Sequence, residues 1–182
     1  RKFFMNKKLE ETTHRELEML DQISDFEHPN IVKTYGYVND PQNVYIALEL
    51  CEGGELLEEL EHIHNYSEHD AASILTQMVT TLGYLHEKGI VHRDVKPENV
   101  LLKKKGASDI AGNIKMADFG LANILEGKDS LKTVCGSPAY MAPEVHNMLD
   151  YNEKVDMLNI VQKNYARELE NNDLLSRFVN KL

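Results

Sequence analysis

An eight-residue polar segment, His92-Arg93-Asp94-Val95-Lys96-Pro97-Glu98-Asn99, lies between two apolar stretches in the middle of this chain. The stretch before it, Ser67 to Lys88, begins with a capping sequence, has apolar side chains at helical spacing and stops at Gly89. The stretch after it, Val100 to Leu102, is too short for a helix. The polar segment is therefore predicted to be a loop that joins a long helix to a short strand.

The first part of the chain predicts a helix followed by a hairpin. Apolar residues recur at helical spacing from Glu10 to Gln22, and His28-Pro29-Asn30 ends that helix because proline fixes φ and lacks an N–H. Ile31 to Val38 and Val44 to Leu50 are β-rich runs joined by a cluster of turn residues. They predict an antiparallel hairpin.

The second part predicts helices with a small sheet set among them. A short helix is expected over Glu55 to His62, and the long helix should bury one stripe, formed by Ile74, Leu75, Met78, Leu82 and Leu85. Val100 to Leu102 and Ile114 to Met116 predict a second hairpin. The fold class is therefore α+β, in two lobes that meet near residues 48–54.

Charge and composition argue against several classes of protein. The formal net charge of −10 does not suit binding to nucleic acid, which needs clustered Lys and Arg, and Lys103-Lys104-Lys105 is expected to be a solvated loop. No apolar run could span a bilayer, and the first residues lack a secretory signal. Cys51 and Cys135 have no metal-ligand spacing. We expect no nucleic-acid or membrane partner and an intracellular location, cytoplasmic or nuclear.

Three motifs in order carry a resemblance to a known family. The segment 92–99 resembles the catalytic loop of protein kinases, and it is followed by Asp118-Phe119-Gly120 and by Ala142-Pro143-Glu144. A lone Asp-x-x-x-x-Asn pattern would be explained as turn residues, but eight matching positions make chance negligible. Residues 53–56 and 136–141 resemble the calcium/calmodulin-dependent-like members of the serine/threonine type.

The resemblance implies roles for four residues in phosphoryl transfer, a reaction that depends mainly on positioning and charge neutralisation. Asp94 would accept or orient the proton of the substrate hydroxyl, and Lys96 would contact the transferring phosphate. Asn99 and Asp118 would hold Mg²⁺, which accompanies ATP. Lys96 is the serine/threonine-type feature of the loop.

Residues 121–141 resemble an activation loop. Thr133 would be a site of phosphorylation by an upstream kinase, and Arg93 would be the partner of that phosphate. An ordinary exposed threonine is the open alternative. Ser137 resembles the residue whose hydroxyl bonds to the catalytic Asp and Lys.

The same resemblance implies the nucleotide site. Lys2 and Glu16 would form the pair that anchors the phosphates, although Lys2 could also be a surface lysine. Leu48 is the gatekeeper position, and Glu49 and Cys51 would offer backbone groups to adenine.

Three more residues complete the implied binding sites. Leu101 would bind the nucleotide. Glu55 would contact the ribose or a basic substrate side chain, and Glu98 could do the latter, with a solvated surface as the open alternative for both. The implied partner is a protein substrate with basic residues near the phosphoacceptor.

Both ends of the chain depart from the family pattern. No glycine-rich loop is present, and after Asp156, expected to bond to the catalytic-loop backbone, the usual Trp-containing helix is missing. We expect an incomplete two-lobed kinase-like fold that lacks the glycine-rich loop strands and most of the C-lobe after Ala142-Pro143-Glu144. The expected divisions are a partial kinase domain over 1–156, comprising N-lobe 1–47, hinge 48–54 and C-lobe 55–156, and a divergent helical segment over 157–182.

The expected function is ATP- and magnesium-dependent phosphoryl transfer to Ser or Thr of proteins. The missing features imply that these 182 residues by themselves are inactive or weakly active. Two alternatives remain open: a non-catalytic kinase-like interaction module, and a truncated gene product that does not fold stably.

Overall fold

The computed structural model describes residues 17–40, 43–62, 67–107, 109–125 and 131–160. Within these ranges no helix combines the length and apolar character needed to cross a membrane. Lys2 and Glu16 lie outside the described residues. The observed mixture of helices and short strands is the α+β class expected from the sequence.

The first described elements are a helix and a hairpin. Residues 17–24 are helical (α1), with Met19 and Ile23 buried. Strand β1 (Thr34–Asn39) pairs antiparallel with β2 (Val44–Leu48). The predicted hairpin is confirmed, with strands shorter than the apolar runs suggested. All five residues of β2 are exposed.

The long helix has the predicted ends and nearly the predicted core face. Helix α2 spans Leu56–His62 and α3 spans Glu68–Glu87. Ser67 caps α3 in a reciprocal capping box with Asp70, and Gly89 follows its end with φ of +75°. Of the predicted stripe, Leu75 is only half-buried, and the residues that are fully packed are Ile74, Met78, Leu82 and Leu85.

Two small sheets flank the polar loop. Strand β3 (Ile90–Val91) pairs with β6 (Asn123–Ile124), and β4 (Val100–Leu102) pairs antiparallel with β5 (Ile114–Met116). The second hairpin is therefore confirmed. Because β3 leads into the loop and β4 leads out of it, both ends of the loop are fixed by a sheet.

A partly buried ion pair joins the end of the first hairpin to β5. The Lys115 ammonium lies 2.7 Å from the Glu49 carboxylate and donates to the Ile31 carbonyl at 3.2 Å. Although burial raises the pKa of Glu49, the bonds from Lys115 and the Lys33 N–H lower it more, so it stays below its ordinary value. The carboxylate therefore has a structural partner.

Two short helices complete the described fold. Helix α4 spans Pro143–His146, and residues 154–160 form α5. Val155 and Asp156 are buried, and Met157 and Ile160 pack against the core cluster that contains the buried residues of α3. Helix α5 therefore shares a core with the long helix that precedes the polar loop.

Candidate active site

The backbone of the loop is held by one buried carboxylate. Asp156 accepts from the His92 N–H at 2.8 Å and from the Arg93 N–H at 2.7 Å, and it also contacts His86 Nε2 at 2.8 Å. Arg93 has φ of +68°, a conformation that side chains other than glycine rarely adopt. The bonds to Asp156 fix this turn, which directs the next residue into the site.

Asp94 is oriented by donors from two segments of the chain. Its Oδ1 accepts from the Ser137 N–H at 2.9 Å. Its Oδ2 lies 2.8 Å from the Lys96 ammonium and accepts from Asn99 Nδ2 at 3.1 Å. Lys96 also donates to the Ser137 hydroxyl at 2.9 Å. Three predicted site residues therefore lie within hydrogen-bond distance of the Asp94 carboxylate.

These donors determine the charge on Asp94. Burial raises its pKa, but the bonds from Lys96 and Ser137 lower it more, so the pKa of Asp94 falls below its ordinary value. The same contact with Asp94 raises the pKa of Lys96. At neutral pH the pair is therefore an ionised carboxylate beside a charged ammonium.

Gly136 allows residues 121–141, the predicted activation loop and hereafter the activation segment, to approach Asp94. It has φ of +105°, and a Cβ built on it would lie 2.7 Å from the Arg93 carbonyl oxygen. A side chain at this position would force the backbone apart and move the Ser137 N–H away from Asp94.

We therefore expect Gly136→Ala to lower the free energy of unfolding by about 1–3 kcal/mol, through a strained φ and a backbone clash. Urea denaturation measures this loss. Gly83→Ala is the matched control, because a Cβ there meets nothing within 4 Å and its helical position favours alanine. Equal stability of the two variants would contradict the close approach.

The residues predicted to hold magnesium offer oxygen ligands. Both bonds that Asn99 makes to Asp94 use its Nδ2, which leaves Oδ1 to bind a ligand. Asp118 is exposed with φ of +60°, while Phe119 is buried with its ring centroid 4.9 Å from that of His92. Hard oxygen donors of this kind fit Mg²⁺.

No group of three His, Cys, Asp or Glu side chains in the described ranges could hold a metal by itself. The oxygen donors of Asn99 and Asp118 are compatible with magnesium, because this ion commonly keeps water and takes substrate phosphates as ligands alongside one or two carboxylates. The donor set therefore fits a metal that arrives with a nucleotide.

The remaining described residues predicted to bind the nucleotide are Glu49, Cys51, Glu55 and Leu101. The Glu49 N–H already donates to the Lys33 carbonyl at 2.8 Å, so its own carbonyl is what it could offer to adenine. Glu55 forms an isolated bridge with Leu101. Cys51 is half-buried, and burial raises the pKa of its thiol.

Two of the residues predicted to be regulatory have contacts that the resemblance did not specify. The Thr133 side chain is exposed, and the guanidinium of Arg93 donates to the Leu121 carbonyl at 2.6 Å and to the Tyr151 hydroxyl at 3.2 Å. Glu98 accepts from the Tyr140 hydroxyl at 3.1 Å. The sequence did not predict these tyrosine contacts, since no local pattern pairs residues so far apart.

Comparison with known proteins gives a consistent result. The family model for the protein kinase domain matches residues 2–160. The chain is 42% identical over 151 residues to the serine/threonine-protein kinase PEPKR2 of Arabidopsis thaliana, covering 83% of this chain and 30% of that protein. It is 45% identical over 133 residues to human calcium/calmodulin-dependent protein kinase type IV, covering 73% of this chain and 28% of that protein.

A third relative is myosin light chain kinase A of Dictyostelium discoideum, 39% identical over 156 residues, with 86% of this chain and 51% of that protein covered. The chain thus spans between about three-tenths and half of the length of these relatives.

Proposed function

Because the chain belongs to the protein kinase family, we propose that it takes part in ATP-dependent phosphoryl transfer to Ser and Thr residues of proteins. The observation that carries this proposal is the set of donors around Asp94, from Lys96, Asn99 and Ser137. Serine/threonine specificity is supported by Lys96 and by the relatives named above.

Asp94 would orient the hydroxyl of the substrate. Its lowered pKa makes it a weak base, so it is suited to accept the proton late, when phosphoryl transfer is well advanced. The donors on both carboxylate oxygens fix its orientation, which avoids reorganisation during the reaction.

Magnesium-bound ATP, when present, supplies the phosphoryl group and neutralises its charge. Asn99 Oδ1 and the Asp118 carboxylate would hold the metal, and Lys96 would lie at the phosphate. Lys2 and Glu16 would anchor the other phosphates.

On the nucleotide side, the Glu49 carbonyl and the Cys51 N–H would bind adenine, with Leu101 packed against the base. Glu55 would contact the ribose or a basic residue of the substrate.

The substrate is proposed to be a protein with basic residues near the acceptor hydroxyl. Glu98 lies within the catalytic loop, and the net charge of −10 favours attraction of basic segments. Thr133 is the proposed target of an activating kinase, and the cytoplasm or the nucleus is the proposed location.

The test is transfer of labelled phosphate from ATP and Mg²⁺ to a mixture of basic Ser, Thr and Tyr peptides, followed by identification of the phosphorylated amino acid. It is made on the 182-residue chain and on any longer product of the same gene. We expect phosphoserine or phosphothreonine, with the lower rate for the 182-residue chain. Label confined to tyrosine, or no label from any product, would contradict the proposal.

A non-catalytic interaction module is the second candidate, and the exposed hairpin favours it. Tyr35, Val38 and Leu50 are each more than two-thirds exposed in the described part of the chain, at 67%, 68% and 76%. Three results together would establish this alternative. The protein would bind a partner, lose that binding when Tyr35 and Val38 are replaced by Ser, and transfer no phosphate.

A further inference from the structure

Tyr151 lies where the activation segment meets the start of α5. Its N–H and carbonyl exchange hydrogen bonds with those of Leu131, at 3.0 and 2.7 Å. The residue is buried, and its ring packs in a cluster with Leu131, Ala142, Val145 and Val155. The backbone and the ring of Tyr151 therefore hold the residue in place independently of its hydroxyl.

The hydroxyl of Tyr151 joins three groups. It donates to the Thr133 carbonyl at 2.5 Å and accepts from Arg93 Nη1 at 3.2 Å. Cys135 Sγ lies 3.8 Å away, and because the one O–H is already donated, the thiol is the donor in that contact. One oxygen thus connects the activation segment to the catalytic loop.

The protonation state of the hydroxyl supports this geometry. Burial raises the pKa of Tyr151, an effect that Cys135 adds to and Arg93 opposes, and the pKa stays above its ordinary value. The hydroxyl is therefore protonated at neutral pH and able to donate to Thr133.

The connection reaches the candidate catalytic carboxylate in two ways. Arg93 is adjacent to Asp94, and its Nε also donates to the Leu121 carbonyl near the start of the activation segment. Shortly after Thr133, the chain supplies the Ser137 N–H that bonds to Asp94. Fixing Thr133 to Arg93 therefore restricts where Ser137 can lie.

We propose that the Tyr151 hydroxyl is a positioning group that docks the activation segment on the catalytic loop while Thr133 is unphosphorylated. A phosphate on Thr133 would bind the same arginine, whose guanidinium has five N–H donors. The phosphate and the Tyr151 hydroxyl would therefore each connect Arg93 to the activation segment. The effect on rate rests on the proposed function, whereas the docking itself does not.

The test is Tyr151→Phe, which removes the oxygen and keeps the ring. Hydrogen exchange, followed by mass spectrometry, should become about tenfold faster in residues 131–137 and stay unchanged in α3. Tyr45→Phe is the matched control, since it also loses a hydroxyl bond, to Asp40 on the exposed hairpin. Unchanged exchange of residues 131–137 in Tyr151→Phe would overturn the proposal, as would equal acceleration throughout the protein.

The rate of phosphoryl transfer gives a second readout, measured on whichever protein product of the gene transfers phosphate. We expect Tyr151→Phe to lower kcat about tenfold with little change in the KM for ATP. Thr133→Glu should raise the rate of Tyr151→Phe more than it raises that of the unmodified protein, because a carboxylate gives Arg93 a new partner. Equal effects of Thr133→Glu on the rates of both proteins would contradict a shared role of Tyr151 and residue 133 at Arg93. If no product transfers phosphate, the proposed function fails, and the exchange measurement still decides the docking.

Discussion

Asp94→Asn should lower the rate of phosphoryl transfer by about 10²–10⁴-fold. The amide cannot accept the proton of the substrate hydroxyl. Its NH₂ group would also face the Lys96 ammonium and the Asn99 amide, which now donate to Oδ2. Steady-state rates measure the loss, in whichever protein product of the gene transfers phosphate. They are taken at a temperature at which circular dichroism shows that the variant is folded.

Asp109→Asn is the matched control for that substitution. Asp109 is an exposed residue between β4 and β5, and its Oδ1 accepts from the Gly112 N–H at 3.0 Å, a bond that Asn can keep. We expect its rate to equal that of the unmodified protein. A rate for Asp94→Asn within about threefold of this control would remove Asp94 from the proposed mechanism.

The largest effect on stability is expected for Asp156→Ala. The carboxylate is fully buried and accepts from two backbone N–H groups in the left-handed turn at His92 and Arg93. Each donor left without a partner costs about 1–3 kcal/mol, so the free energy of unfolding should fall by roughly 2–6 kcal/mol. That is a large part of the stability of an ordinary domain.

Asp156→Asn separates the lost bonds from the lost volume. The amide keeps one oxygen acceptor. We therefore expect the free energy of unfolding of Asp156→Asn to lie between those of the unmodified protein and Asp156→Ala. Urea denaturation of the three proteins gives the order. A loss below about 0.5 kcal/mol for Asp156→Ala, the range of an ordinary surface substitution, would contradict the holding role of this carboxylate.

The elements that the sequence predicted well depend on local signals. Helix α3 has its cap at Ser67, its stop at Gly89 and its apolar period within one continuous stretch. The hairpin of β1 and β2 likewise combines β-rich runs with an adjacent turn. Leu75 was expected in the buried stripe and is half-buried, because periodicity finds the core face of a helix but does not fix the edges of that face.

The contacts that local patterns could not predict join distant parts of the chain. Glu49 was considered for its backbone alone, and its carboxylate partner, Lys115, comes from another hairpin. Contact of Ser137 with Asp94 and Lys96 was expected only through the family resemblance, because spacing along the chain does not bring Ser137 to the loop. The bonds of Lys96 and Asn99 to Asp94 were not predicted. The bonds of the Tyr151 hydroxyl to Thr133 and Arg93 also join distant residues and were not predicted.

The proposed mechanism depends most on Asp94 being held as an oriented, ionised carboxylate. Titration of its carboxyl carbon by ¹³C NMR, with the signal identified by its absence in Asp94→Asn, measures this state directly. We expect the midpoint of this titration to lie below the ordinary value of 3.8, because the bonds from Lys96 and Ser137 outweigh burial and lower the pKa of Asp94. In Lys96→Met the remaining burial should move the titration to higher pH. A pKa of Asp94 at or above the ordinary value in the unmodified protein, or no upward shift of that pKa in Lys96→Met, would contradict the proposed mechanism.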